Sequence, residues 1–272
     1  MTRDYSGVLL IGHGTREASG NAAFLEIVEH VRGLLPGMAV EAAFLEFTRP
    51  TIAEGIVRLA MEGATHIAVV PVFLSGLGHT MDDIPEAVAK AAGQHREGSK
   101  FRAKGAEMVL QRHENIRISL MSHLGAHERV VELSAVRYRQ ALEERKEIAA
   151  EETLLILAGH GSGEPEAILD LSEFAARRER LTPVGEVKAC FAVLGKPQLS
   201  EVLRGPFKAA HKRVVVQPHL LLKGRFYDSI CEMVEKSRLE HPEVDWVVTE
   251  PLGPDRLLAQ AVVEIVRARG SQ

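Results

Sequence analysis

The chain is short of cysteine, of aromatic side chains and of long apolar runs, and its charges nearly balance. Cys190 and Cys231 are the only cysteines in 272 residues, and their spacing suits neither a disulfide framework nor a thiolate zinc site. Both are expected to be reduced thiols of the core. No stretch approaches the roughly 18 consecutive apolar residues that a membrane-spanning helix needs, so no membrane partner is expected. The opening MTRDYSGVLLIGHGT passes from charged residues straight into an apolar run, without the longer apolar region and small-residue cleavage site of a secretory signal. A cytoplasmic protein is the expectation. A formal charge of −4 leaves no bulk attraction for a phosphate backbone, which argues against nucleic acid as a partner. Hydrophobic residues make up 46% of the chain, enough for a full core, and the length suits two domains.

What the chain does have is a repeat. LLIGHGTR around His13 recurs as ILAGHGSG around His160, FLEFTRP from Phe44 recurs as FAVLGKP from Phe191, and VVP ending at Pro71 recurs as VVQP ending at Pro218; each pair is 147 positions apart. A duplicated chain is its own control, because residues needed by the fold survive in both copies while residues needed by chemistry have to survive in only one.

Residues 8–11 read as a buried strand ending in Gly-His-Gly, and residues 19–35 carry Ala22, Ala23, Leu25, Ile27, Val28, Val31 and Leu34 at helical spacing. Strands follow at 40–44, 66–73 and 116–120, and helices at 51–61, opened by Arg49-Pro50 with the proline near its first turn, and at 126–142. Asp82 and Asp83 mark a further helix start, with acid at the positive end of the helix dipole. The second copy places strands at 154–158, 186–191, 213–217 and 244–249, and LGPDRLLAQAVVEIV answers LGAHERVVELSAVRY. That last pair is offset by 128, not 147, so the first copy holds nineteen extra residues, in the polar stretch GQHREGSKFRAKGAE. A surface loop or a lengthened helix end is expected there, and a solvated helix end and linker at 143–153. The reading is two tandem α/β domains, 1–145 and 146–272, each with a mostly parallel sheet and right-handed crossovers, binding ligands outside the carboxyl ends of its strands.

The copies disagree at polar positions of those strand ends. His13 and His160 match, but Glu46 faces Val193, and aligning GHTMDDI with GRFYDSI sets Arg225 opposite His79. The first copy thus offers His13, Glu46 and His79 on three loops, where the second keeps one histidine. Two imidazoles and a carboxylate suit a divalent first-row metal such as Fe, Co, Ni or Zn, and serve equally as proton acceptors near neutral pH. Gly12, Gly14, Gly76 and Gly78 bracket the histidines and permit tight turns or a close approach to a flat ligand. No Rossmann or Walker fingerprint is present. His95, His113, His123, His127, His211 and His241 are expected at the surface.

GHGTR, FLEFTRPTI and VVPVFLSGLGHTMDDIPE, in that order and repeated in degenerate form, resemble the sirohydrochlorin chelatase family, the class II chelatases of sirohaem and cobalamin synthesis. The match is strong over 7–90 and weaker over 154–266. The resemblance implies two flavodoxin-like, chelatase-like halves with a cleft between them, and a lyase that inserts Co2+ or Fe2+ into sirohydrochlorin without ATP. It implies His13 and His79 as the catalytic and metal-ligating pair with Glu46 as the acidic member. Arg16, Arg49, Ser75, Gly76, Gly78 and Thr80, with Arg225 or Lys223 from the second half, become the expected contacts for the carboxylate-rich macrocycle. The metal is substrate, Ni2+ being a further candidate, and no permanently bound cofactor is expected. A monomer of two pseudo-symmetric halves is implied, with the second half a degenerate wall. Two other readings exist. A histidine phosphatase needs arginine directly before its nucleophilic histidine, where Gly12 stands, and a metal or tetrapyrrole carrier of the same fold would use the same ligands without turnover.

Overall fold

The computed structural model describes residues 5–76, 83–91, 107–110, 116–162, 165–205 and 211–270. In chain order the first repeat forms β1 (Gly7–Gly12), α1 (Ala18–Leu34), β2 (Ala39–Phe44), α2 (Ile52–Met61), β3 (His66–Pro71), α3 (Ile84–Ala91), β4 (Glu107–Leu110), β5 (Ile116–Leu120) and α4 (Glu128–Leu142). The second forms β6 (Thr153–Gly159), α5 (Pro165–Glu179), β7 (Glu186–Phe191), the single turn α6 (Leu199–Val202), β8 (Arg213–Pro218), α7 (Arg225–Glu240), β9 (Asp245–Val248) and α8 (Arg256–Gly270). The sheets run β2-β1-β3-β5-β4 and β7-β6-β8-β9. All pairings are parallel except β4 with β5.

The apolar runs become central strands because a parallel sheet covered on both faces has no polar side to offer. β1, β3, β6 and β8 are buried along their whole length. On one face of the first sheet Leu9, Ile11, Ile67, Val69 and Ile118 pack with Ile52, Ile56 and Leu59 of α2 and Ile84 and Val88 of α3. The second sheet repeats the arrangement with Leu154, Ile156, Val214 and Val216 against Leu199, Ile230, Val234 and Trp246. Cys190 joins that core as a free thiol, which burial pushes up to about 12, while free Cys231 is half-buried. No helix of the described residues is long and apolar enough to cross a membrane.

Four features differ from the reading of the sequence. The insertion contributes an antiparallel edge strand, β4, beginning within the stretch expected to be a loop or helix end. Its EMVL is too short to signal by alternation and is fixed by pairing with β5. The helix after Pro50 starts one residue later than expected: Thr51 is the N-cap of α2, with a reciprocal capping box to Glu54, and the Arg49-Pro50 peptide is cis, as is Lys196-Pro197 in the same register of the second repeat. The His211 side chain is only 7% exposed, lying 3.7 Å from Glu186, and is not a surface histidine.

The last difference is the largest. The repeats divide in sequence at 145/146, whereas the compact units are Met1–Leu124 with Pro254–Gln272, and Gly125–Gly253. Each repeat's final helix has changed sheets. Tyr138, Ala141 and Leu142 of α4 pack with Leu155, Val215 and Val247 of the second sheet, and α8 lies against α1 of the first. Both helices carry an apolar face that must be covered, and periodicity says that a sheet covers it without saying which.

Candidate active site

β1 lies between β2 and β3, so the chain leaves β1 for one side of it and returns on the other. Ligands of such sheets sit outside the carboxyl ends of the strands at this reversal. His13 follows β1, Glu46 follows β2 by one intervening residue, and Ser75 and Gly76 follow β3.

The first two loops are fastened through the backbone. Leu45 N–H donates to Gly12 O (3.0 Å) and Glu46 N–H to His13 O (2.9 Å), continuing the parallel ladder past the strand ends. Gly14 has φ +85°, and a Cβ there would stand 2.0 Å from the Glu46 carbonyl oxygen, so the junction admits no side chain. Asn21 holds the rest of the histidine loop, its Oδ1 accepting from Thr15 N–H (3.0 Å) and its Nδ2 donating to Thr15 O (2.8 Å). Beneath, Phe24 meets Phe44 edge-on at 5.1 Å. His13 and Glu46 are therefore exposed side chains on fixed loops.

His13 Nδ1 lies 3.1 Å from Gly14 O. A carbonyl oxygen only accepts, so the bond places the proton on Nδ1 and, in the neutral ring, the lone pair on Nε2. That nitrogen can ligate a metal or take a proton. Beside it stands Phe47, a residue the sequence reading passed over. Thr48 N–H donates to Glu46 O (2.8 Å), closing a three-residue γ-turn around Phe47 at φ 62°. A left-handed backbone costs a residue other than glycine about 1–2 kcal/mol. The Phe47 ring lies 6.0 Å from the His13 ring with planes 22° apart, and the Arg16 guanidinium lies 5.3 Å from the Phe47 centroid. Phe73 is 6.4 Å from the same imidazole. A signal for Phe47 existed: it lies three residues beyond the last strand position of β2, where an aromatic has no core to join.

Of the other expected residues, Arg16 is exposed, Ser75 half-buried and Gly76 buried. Arg49 is 81% exposed and pairs with Glu54 at 2.6 Å, so a substrate carboxylate would have to displace that partner. Gly78, His79 and Thr80 lie outside the described residues. Among the described residues no group of three or more His, Cys, Asp and Glu side chains is arranged to hold a metal. The structure joins two of the three expected ligand-bearing loops, those of His13 and Glu46.

The second repeat builds the same junction with other side chains. His160 Nδ1 lies 3.0 Å from Gly161 O, Gly161 has φ +87°, and Val193 N–H donates to His160 O at 3.1 Å. Val193 and Leu194 are exposed where Glu46 and Phe47 stand in the first repeat. His160 tilts against Phe226 at 4.7 Å. Arg225, the first residue of α7, is exposed, and Lys223 pairs with Glu250 at 2.6 Å while lying 5.5 Å from the Tyr227 ring.

The chain is similar to two proteins of Priestia megaterium, each 27% identical to it. One, a sirohydrochlorin ferrochelatase, aligns over 99% of this chain and 94% of its own; the other, a sirohydrochlorin cobaltochelatase, over 88% and 72%. Among solved structures, SirB from Bacillus subtilis with Fe3+ superposes with a TM-score of 0.82 at 26% identity, covering 97% of this chain and 95% of that one. The family model CbiX matches twice, at residues 7–141 and 154–269, once for each repeat, and the chain belongs to the CbiX family.

Proposed function

We propose that the protein is a chelatase that inserts Co2+ or Fe2+ into sirohydrochlorin without ATP, at a single site carried by the first repeat. The observation that carries this reading is the contrast at one backbone junction: the Glu46 N–H bonds the His13 carbonyl in the first repeat, and the Val193 N–H bonds the His160 carbonyl in the second. The fold needs the junction and tolerates either side chain there; a reaction that handles protons and a cation needs the carboxylate.

Insertion exchanges one divalent cation for two pyrrole N–H protons, with no change of oxidation state, while the cation trades its water ligands for four ring nitrogens. Protein groups must therefore take protons and hold the metal briefly at one face of the macrocycle. His13 Nε2 carries the lone pair for either task. Glu46 offsets the positive charge that the imidazole or the metal brings, and His79 supplies the second imidazole. Arg16, and Arg49 once released from Glu54, bind peripheral carboxylates, and Ser75, Gly76, Gly78 and Thr80 are further candidate contacts of the macrocycle. The Priestia megaterium relatives, equal in identity, are named for different metals; Ni2+ is a further candidate substrate. The chain is proposed to act in the cytoplasm as a monomer with no permanently bound cofactor.

The test is the anaerobic absorbance change of sirohydrochlorin with Co2+, Fe2+ or Ni2+. Acceleration over the uncatalysed rate is expected with at least one of the first two. Tight binding of metal or macrocycle without acceleration would overturn the chelatase in favour of a carrier.

A further inference from the structure

The tips of the two β2-type loops are both apolar and exposed, yet their backbones are built differently. In the second repeat the left-handed position falls on Gly195 (φ +110°), and Val193 and Leu194 both direct their N–H groups to His160 O (3.1 and 3.4 Å). In the first repeat it falls on Phe47 (φ 62°), the only residue other than glycine with positive φ among the described residues. Docking against the histidine loop does not demand this, because the second repeat docks with glycine in the left-handed position. Strain kept in one copy and relieved in the other, beside the candidate catalytic histidine, points to a use for the side chain it presents.

That side chain is a phenyl ring, 55% exposed to water and nearly parallel to the His13 imidazole, with the Arg16 guanidinium beside it. An apolar ring held in water, with a nitrogen base and an exposed cation next to it, complements a ligand that is flat and π-rich at its centre, carries N–H groups there and bears carboxylates at its rim. We propose that Phe47 is the platform on which the macrocycle lies, orienting its nitrogens toward His13 while Arg16 takes a rim carboxylate. This inference rests on the chelatase reading of the same site.

Two variants separate platform from packing. Phe47→Gly removes the ring and relieves the left-handed backbone, and Phe47→Leu gives the first repeat the residue of the second. Three quantities are measured: the dissociation constant of metal-free sirohydrochlorin from its own visible absorbance, Co2+ binding to the protein alone by calorimetry, and steady-state Co2+ insertion. For Phe47→Gly the expectation is an unchanged or raised Tm, Co2+ affinity within about twofold of the parent, and a dissociation constant and KM for sirohydrochlorin raised about tenfold, with a smaller change in kcat. Phe47→Leu falls between. Wild-type macrocycle binding in Phe47→Gly overturns the proposal and leaves the chelatase reading standing, and so does a fall in Tm of more than about 5 °C, which would make the ring a packing element. Should the parent protein bind sirohydrochlorin without inserting metal, the chelatase reading falls while loss of binding in Phe47→Gly still supports the platform. No binding by the parent overturns both.

Discussion

His13 and His160 occupy the same place on the same plan. Each ends a fully buried central strand, turns Nδ1 to the next glycine's carbonyl and accepts a backbone N–H from the neighbouring loop. Around His13 that plan carries Glu46, Phe47 and Arg16; around His160 it carries Val193 and Leu194. A second contrast lies in the layer between the central strand's neighbour and the exchanged helix. In the second unit Arg178 Nε donates to Ser134 Oγ (3.1 Å), Ser134 Oγ donates to Gln217 Oε1 (3.1 Å), and the Arg178 guanidinium lies 5.2 Å from the Tyr138 ring. Arg178 is fully buried, and among the described residues both its terminal nitrogens lack a hydrogen-bond partner. The corresponding residues of the first unit are Val31, Val262 and Val70, all buried, with Val266 in the place of Tyr138. The unit that carries the candidate chemistry has valines in that layer, and the unit that has lost the carboxylate holds the buried cation. The lesson is that the second sheet has been relieved of both constraints that the first keeps: polar strand ends and an apolar interior.

Making the first repeat resemble the second should have the largest effect. Glu46→Val is expected to lower the rate of Co2+ insertion about 100-fold or more while leaving Tm within a few degrees, since Val193 already occupies that backbone; initial rates and thermal unfolding check it. Next come the paired glycines. A Cβ on Gly14 would meet Glu46 O at 2.0 Å and one on Gly161 would meet Leu194 O at 1.6 Å, so Gly14→Ala and Gly161→Ala should each cost about 2 kcal/mol or more in denaturant unfolding. Only Gly14→Ala should lower kcat per folded molecule.

Arg178→Met tests the interior contrast. Replacing a poorly paired buried ion with an apolar side chain is expected to stabilise the chain by about 1–3 kcal/mol at pH 7. Burial lowers the guanidinium well below its ordinary value, to about 10, in the folded chain. Above about pH 10 the unfolded chain therefore keeps a proton that the folded chain has released; the penalty is full below about pH 10, and parental stability recovers as pH rises above it toward the ordinary guanidinium range. The advantage of Arg178→Met should shrink over that interval, as urea unfolding at several pH values will show. The smallest effect is expected at the helix caps. The Thr51 hydroxyl accepts from Glu54 N–H at 3.3 Å and Glu54 accepts from Thr51 N–H at 2.7 Å, so Thr51→Ala should cost about 1 kcal/mol. Gln198→Ala should cost less, because its box rests on the 3.3 Å bond from Gln198 N–H to Glu201.

How far the sequence revealed all this depends on whether a feature is local. The parallel strands were legible because burial on both faces leaves runs such as VLLIG and LLILA, and the strand-end loops of His13 and Glu46 because the repeat supplied its own comparison. The exchange of α4 and α8 was not legible, since an apolar stripe specifies that a helix is covered and leaves open by which sheet. Arg178 lies in the charged run RRER at the end of α5, which reads as a solvated face until α4 covers it. Phe47, between two polar residues beyond the end of a strand, was legible only as an aromatic without a core to join; its place beside His13 depends on the γ-turn, which no local pattern announces.

The central claim is that one of two matching histidine loops does the chemistry. His13→Ala and His160→Ala, assayed side by side for the initial rate of Co2+ insertion into sirohydrochlorin, test it most directly. The account predicts a loss of about 100-fold or more for His13→Ala and a rate within about threefold of the parent for His160→Ala. Equal losses in the two variants, or a larger loss at His160, would contradict it.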